Sequence, residues 1–387
     1  MSNETAAPRP LAEAARTIAP LAAEHAAGAD TGRRLHPLVA EAIVDAGFAH
    51  HFAPAGLAGT PGTFTELLAA ADELGRGCAA AAWVASVTAS AGRLTAFLPR
   101  SGQEEVWQKG RETVVAAGLM PAGTATPVLG GWRVTGGWPY VSGIEFSHWV
   151  LVAARTATAA KPEVRVFAVP RTDVAVEDTW FTLGMRGTGS NTVRLDDVMV
   201  PAERSVPLGT VVAGAAPAPA APCHGVPLKA VNGLTLTAPL LGVARGAVRR
   251  WSELVGAKLD AGSASVSGAT DRGTYEQVLA RSDGEIDAAG LLLARVAQMA
   301  DSGAVSERDT ARNVRDCALA AELVTTAVDR LLRSAGTQGH AESEELQRRW
   351  RDVTCGAGHN ALQFSPAAQL HARALLAGPQ DLPVATA

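Results

Sequence analysis

Apolar positions along this chain change their period twice. From about Pro10 to Glu112 they recur at helical spacing. Thr63 with Glu66, and Ser101 with Glu104, match the S/T-x-x-E box, in which a hydroxyl and a carboxylate satisfy the free amides at a helix start. Between them the run from Cys78 to Leu98 is nearly all apolar, which predicts a helix buried on most sides. From about Thr113 to Val206 the pattern shortens. W-R-V-T-G-G, H-W-V-L-V-A-A, V-R-V-F-A-V-P and T-V-R-L-D-D-V-M-V-P are of strand length, rich in β-branched or aromatic residues, and bounded by Gly, Pro or Asp. Several short strands without helices between them predict a small antiparallel barrel or sandwich. The Pro/Ala/Gly-rich stretch from Gly209 to Pro227 predicts a linker or surface loop. Helical spacing then returns. Leu234, Ala238, Leu241, Val248 and Trp251 share one face, and Val314, Ala321, Val324, Val328 and Leu331 share another, as in an antiparallel bundle.

The expected fold is therefore mostly α with a central β unit. Its three units are an N-terminal helical domain over residues 1–115, a β domain over 116–207 and a C-terminal helical bundle over 208–387. Composition agrees. The 387 residues exceed what one hydrophobic core usually serves, and 47% apolar against 19% charged residues supports a sizeable core. A formal net charge of -4, with both signs mixed along the chain, argues against a nucleic-acid binder, which would carry a basic face. The opening M-S-N-E-T-A-A-P-R-P lacks a leader's apolar core, and no run approaches the roughly twenty apolar residues of a membrane span. Cys78, Cys223, Cys317 and Cys355 are far apart and read as buried or incidental thiols. A cytoplasmic protein without membrane contact is expected.

Common catalytic motifs are absent: no Walker loop, no H-E-x-x-H, no G-x-S-x-G. The nine histidines have no ligand spacing, so no metal is expected. Gly184 to Gly189, G-M-R-G-T-G, leads into a strand, whereas a dinucleotide fingerprint opens a helix. Four segments stand out instead: A-G-L-M-P-A-G-T-A (Ala117 to Ala125), T-G-G-W-P-Y-V-S-G-I-E (Thr135 to Glu145), L-G-M-R-G-T-G-S-N-T-V-R-L-D-D-V-M-V-P (Leu183 to Pro201) and R-R-W-R-D-V-T-C-G-A-G-H (Arg348 to His359). In order and spacing these resemble the acyl-CoA dehydrogenase superfamily over nearly the whole chain, the third segment most specifically. E-L-G-R-G-C-A-A-A-A-W-V-A-S (Glu73 to Ser86) and the W-R-D-V…H ending resemble the two-component flavin-dependent monooxygenases within it. These include the 4-hydroxyphenylacetate hydroxylase oxygenase component and dibenzothiophene monooxygenases.

The resemblance implies reduced FMN or FAD supplied by a separate flavin reductase, molecular oxygen added at flavin C4a as a hydroperoxide, and transfer of one oxygen atom to a small organic substrate. An aromatic or polyketide-type secondary metabolite is the leaning. It also implies a homotetramer built as a dimer of dimers. Ser142 falls where relatives place a hydroxyl beside flavin N5, with a turn serine as the plainer reading. Tyr140 and Trp138 fall where an aromatic meets the isoalloxazine, or are simply core. Met120, Pro121, Gly123 and Ala125 would form a backbone loop along the ring, or a plain β-turn. His359 would face the flavin and carry protons, since an imidazole titrates near working pH; the alternative is a capping or core histidine. Trp83, Arg186, Ser190 and Asn191 are candidates on the substrate side or its loop. Arg272 could meet a flavin phosphate from a neighbouring subunit. Arg351 and Asp352 read as a structural pair.

Departures matter too. Dehydrogenases need a carboxylate base, and the positions eight and nine residues beyond the Arg351-Asp352 pair hold His359 and Asn360. Glu253 or Glu276 could replace that base from an earlier helix. Ser90-Ala91-Gly92 stands where many oxygenases carry a second histidine, and the R-x-x-F-G string for FAD pyrophosphate is missing. An acyl-CoA dehydrogenase or oxidase with a displaced base, an amine or amino-sugar N-oxygenase, and a flavin-free scaffold are the alternative readings.

Overall fold

The structure is a computed structural model that describes residues 10–59, 61–157, 163–218, 220–261 and 272–377. Residues 1–9, read above for a leader, lie outside the described residues. The chain opens with helices α1 (Leu11–Glu24), α2 (Ala26–Gly32), α3 (Pro37–Asp45), α4 (Phe64–Gly77), α5 (Ala79–Leu94) and α6 (Arg100–Val106). Thr63 and Glu66 form the expected capping box at α4. Ser101 does not cap α6: the helix starts at Arg100, directly after Pro99, so Ser101 is already inside the first turn. The apolar run became α5, buried along almost its whole length.

Seven strands follow: β1 (Val115–Val128), β2 (Gly131–Val141), β3 (Trp149–Thr156), β4 (Val164–Pro170), β5 (Ala175–Glu177), β6 (Asn191–Pro201) and β7 (Ser205–Pro207). They form one mixed sheet in the order β5-β6-β2-β1-β3-β4-β7. The expected all-antiparallel unit is corrected here, because β1 and β3 run parallel at its centre. Curling brings Trp132 of β2 against Phe167 of β4, with ring centroids 5.9 Å apart. The ladder breaks in this central β1–β3 pair and in the neighbouring β2–β6 pair. The β1–β3 register skips from Gly118 to Gly123, and the β2–β6 register skips from Trp138 to Val141. Each gap contains a proline, Pro121 or Pro139, which has no N–H to give to the ladder.

The inner face of the curl holds its own core, centred on fully buried Trp138, whose indole N–H donates to the Ala153 carbonyl at 2.7 Å. Burying a side chain of that size contributes roughly 4–6 kcal/mol before entropy. Gly123 and Gly136 make the socket: a Cβ on Gly123 would stand 2.4 Å from Trp138 Cζ2, and one on Gly136 would stand 2.8 Å from Cη2. The outer face packs on Leu94, Phe97, Leu98 and Trp107 from the N-terminal helices.

The Gly209–Pro227 stretch is more ordered than a linker. It holds most of α7 (Leu208–Ala213) and buries Cys223, His224 and Val226. Buried Arg93 explains this, since its guanidinium donates to the carbonyls of Cys223 and Val226. The rest is α8 (Leu228–Ala261), α9 (Arg272–Asp301), α10 (Glu307–Ala335), α11 (Glu345–Ala357) and α12 (Phe364–Leu376). The predicted faces are buried, apart from half-buried Val248 and Val314. One continuous apolar cluster joins α1, α4 and α5 to α8, α9 and α10. Helices α4 and α8 touch backbone to backbone at Gly75 and Gly242, where a Cβ on Gly242 would lie 2.1 Å from the Asp72 carbonyl oxygen.

Candidate active site

A cavity of about 790 Å³ opens where the broken end of the sheet meets α5, the start of α8 and the end of α11. That lies within the range of small-molecule and cofactor sites. Its walls include Trp83, Val87 and Ser90 from α5, Gly118 to Met120 from β1, Trp138 to Tyr140 from β2, Gly356 at the end of α11, and Gly358 to Ala361 after it. Among the described residues lining it, none is Asp, Glu, Lys or Arg.

Strained backbone shapes these walls. Tyr140 (φ 66°) and Met185 (φ 54°) both hold left-handed conformations and both line the cavity. Such a conformation costs a residue with a side chain of order 1–3 kcal/mol and persists only where its surroundings impose it. At Met185 they do. Its N–H donates to Asp352 Oδ1 at 2.6 Å, and its carbonyl accepts the Trp180 indole N–H at 2.9 Å. Asp352 is buried, which pushes its carboxyl up to about 6. Arg351 grips Asp30 at 2.8 Å and the Leu183 carbonyl at 2.7 Å. Arg351 and Asp352 are thus structural, but each anchors the Leu183–Gly189 loop and not the other. Gly184 permits the approach, since a Cβ there would lie 2.1 Å from the Arg351 carbonyl oxygen.

A chain of hydroxyls runs from the cavity into the protein. Trp83 Nε1 donates to Ser142 Oγ at 3.2 Å; Ser142 and Ser190 are 2.7 Å apart; Ser190 and Thr188 are 2.6 Å apart; and Thr188 donates to the Met185 carbonyl at 2.8 Å. Across the cavity His359 follows α11, its ring centroid 6.2 Å from that of Trp83. Its Nδ1 accepts the Ala361 N–H at 3.1 Å. His359 faces the cavity's solvent yet is enclosed by protein on most sides, and this loss of water lowers its pKa below the usual histidine value. The neutral form with the proton on Nε2 fits both facts.

Of the residues singled out in the sequence, Trp83, Met120, Trp138, Tyr140, Ser142, Ser190 and His359 share this cavity. Pro121, Gly123 and Ala125 do not line it. The expected backbone loop is instead part of β1, with the bulged residues 119–122 carrying Met120 to the wall. Arg186 turns away to the Asp30 and Thr182 carbonyls. Asn191 accepts the amides of Thr179 and Trp180, and so holds Trp180 in the wall without touching the cavity. Arg272 is exposed at the start of α9, 3.9 Å from Glu276, and Glu253 pairs with Arg250; all stand outside. Ser90 and Ala91 line the wall where a second histidine was sought. Sequence reasoning missed Trp180, Thr188, Asn232 and Thr235. Only Thr188, inside the glycine-rich third segment, carried any signal. Among the described residues, no group of three or more His, Cys, Asp or Glu could hold a metal, and no helix is long and apolar enough to cross a membrane.

A helical frame around a broken central sheet, with an aromatic-lined cavity between sheet and bundle, is the architecture of the acyl-CoA dehydrogenase fold. The family model for the C-terminal domain of acyl-CoA dehydrogenases matches residues 234–364. The oxygenase subunit HsaA of a flavin-dependent monooxygenase from Mycobacterium tuberculosis is 29% identical over 342 residues, 85% of this chain and 86% of that protein. A pigment production hydroxylase from Rhodococcus sp. is 30% identical over 314 residues, 79% and 80% of the two chains. XiaF from Streptomyces sp., solved in complex with FADH2 and glycerol, superposes with a TM-score of 0.87 at 29% identity over 96% of each chain. The chain belongs to the flavin-dependent monooxygenases of this fold, and is an oxidoreductase that uses flavin and molecular oxygen.

Proposed function

We propose that this chain hydroxylates an uncharged aromatic substrate, using reduced FMN or FAD brought by a separate reductase. The observation that carries the reading is a cavity walled by Trp83, Trp138, Trp180 and Tyr140, with no Asp, Glu, Lys or Arg among its described lining residues. An unpaired carboxylate or ammonium there would lose its water with no compensation, whereas flat apolar rings gain area and stacking. The residues also fit a flavin: the volume suffices, and Ser142 offers a hydroxyl at the bulged sheet end. The HsaA name, an oxygenase subunit, supports a reductase partner.

When bound, reduced isoalloxazine supplies the electrons that activate oxygen. Ser142 would hold a hydrogen bond at N5. His359 would present its Nε2 proton to an oxygen of the reacting groups, while Ala361 fixes the ring through Nδ1. Trp83, Trp138 and the strained Tyr140 and Met185 would exclude water. The lack of cations leaves the flavin phosphate to another surface; exposed Arg272 of a second subunit would meet it in a dimer of dimers. Exposed Met120, Tyr140, Phe181 and Leu183 support burial of that rim by assembly. Four free cysteines fit a cytoplasmic location. The dehydrogenase alternative lacks a carboxylate in the wall, and a cationic amine would lack a counter-charge there.

The test mixes the protein anaerobically with reduced FMN and then admits oxygen with paired phenols and indoles, neutral or bearing a carboxylate. Neutral members give hydroxylated product. Carboxylates lose at least about 10²-fold in kcat/KM and release hydrogen peroxide instead. Equal turnover of both sets, or reduction of the flavin by an acyl thioester, refutes the proposal.

A further inference from the structure

The hydroxyl chain in the cavity wall has a fixed direction. Trp83 Nε1 at one end can only donate, and the Met185 carbonyl at the other can only accept. Between them Ser142, Ser190 and Thr188 each own one proton. Thr188 gives its proton to Met185, so it accepts from Ser190, which in turn accepts from Ser142. Thr188 and Ser190 are 2% and 4% exposed, so their hydroxyls are held mainly by one another and by Ser142 and the Met185 carbonyl. The geometry is firmly held: Ser142 directly follows β2, Ser190 directly precedes β6, the Val141–Asn191 pair joins the two strands, and the Gly143 N–H donates to the Thr188 carbonyl at 3.0 Å. Ser142 therefore faces the cavity with its proton already committed and a lone pair to spare.

We propose that Ser190 and Thr188 are positioning residues that make the site select reduced over oxidised flavin. The inference rests on the reading that Ser142 stands at flavin N5. Reduced flavin carries a hydrogen on N5 and can donate to the free lone pair of Ser142, adding one hydrogen bond to the chain. Oxidised flavin has only a lone pair at N5. To donate to it, Ser142 must take its proton back, so Ser190 and Thr188 must both reverse and the Thr188–Met185 bond is lost. Reduced flavin gains one bond and oxidised flavin gains none. One hydrogen bond corresponds to roughly a three- to tenfold difference in affinity. The site would then take up reduced flavin and let oxidised flavin go after turnover, as a chain supplied by a separate reductase requires.

The test measures dissociation constants of oxidised FMN, and of reduced FMN under anaerobic conditions, for the wild type and four variants whose folding is checked by circular dichroism. Ser190→Ala and Thr188→Val each free the Ser142 proton. Both should bind oxidised FMN about three- to tenfold more tightly and leave reduced FMN nearly unchanged. The potential of the bound two-electron couple should fall by roughly 15–30 mV. Thr188→Ser keeps the hydroxyl and should keep the wild-type ratio, which a merely structural role does not require. Ser142→Ala should weaken reduced FMN alone. If Ser142→Ala weakens reduced FMN while Ser190→Ala and Thr188→Val leave the affinity ratio untouched, the directional chain is wrong. If Ser142→Ala changes neither affinity, the placement of Ser142 at the flavin has failed, and the inference with it.

Discussion

Replacing Asp352 with asparagine tests how the cavity's floor is held. The wild-type carboxylate is buried and accepts the Met185 N–H at 2.6 Å, so one side chain both satisfies a buried amide and fixes a left-handed residue. Burial raises its pKa from 3.8 to about 6 even though that hydrogen bond pulls the other way. The folded protein therefore binds the proton more tightly than the unfolded chain does. Asp352 adds almost no penalty below pH 3.8, an increasing one as pH rises to about 6, and a constant one above that. A shift from 3.8 to 6 at 1.36 kcal/mol per unit amounts to about 3 kcal/mol. The amide introduced by Asp352→Asn keeps the acceptor oxygen but cannot ionise. Urea unfolding midpoints, read across that range, should coincide near pH 4 and separate toward neutrality. The variant should become more stable by up to about 3 kcal/mol, less whatever its new N–H loses by burial. Asp352→Ala should be destabilised by about 1–3 kcal/mol near pH 4, because the Met185 N–H then has no acceptor, and this deficit should shrink toward neutrality as the wild-type carboxyl ionises. Parallel pH curves for wild type and Asp352→Asn would refute the reasoning, since they would mean an unperturbed carboxyl.

Three further outcomes are expected. His359→Ala should lose about 10²–10⁴-fold in hydroxylation rate while still binding FMN, measured by stopped-flow product analysis and flavin titration. Burial lowers the His359 pKa, so the neutral imidazole persists to lower pH; the acid limb of the wild-type rate profile should fall below the ordinary value near 6.5 and vanish in the variant. Gly184→Ala should cost roughly 2–4 kcal/mol by thermal unfolding, because its Cβ collides with the Arg351 backbone. Gly256→Ala, with open space at an α8 helix position, should instead gain about 0.5–1 kcal/mol.

The helical regions apart from α7, and four of the strands, could be read from the sequence because local period and tertiary burial agree there. Strand β1 could not be read. Its A-G-L-M-P-A-G-T-A core has the composition of a turn, yet it lies between β2 and β3 at the centre of the sheet. Glycine serves there as a socket for Trp138, a need that appears only once the strands are paired. For the same reason Pro121 and Pro139, which look like loop formers, turn out to mark two facing bulges. In the site, residues inside recognisable segments could be found: Trp83, Ser142, Ser190 and His359 all meet at the cavity. Trp180 and Asn232 could not, since nothing in their neighbours distinguishes them before the chain folds. Arg186 and Asn191 drew attention as polar groups on a glycine-rich loop. The structure uses them to hold that loop, and leaves the cavity wall to its uncharged neighbours.

Backbone strain in this protein gathers at the cavity. Four described residues other than glycine hold positive φ, and two of them, Tyr140 and Met185, line the same cavity. Each is held by its neighbours in the fold: Tyr140 by the β2 bulge, with Trp180 edge-on at 6.0 Å, and Met185 by Asp352 on α11. A cavity without charges cannot orient a ligand through ion pairs, so its selectivity depends on wall positions and on the few hydroxyl and imidazole groups whose protons point in known directions. Holding those walls in strained conformations, with the supporting groups buried, keeps them in place before any ligand arrives. Asp352 joins the two halves of this arrangement, because the residue whose amide it anchors is the same residue whose carbonyl ends the Ser142–Ser190–Thr188 chain.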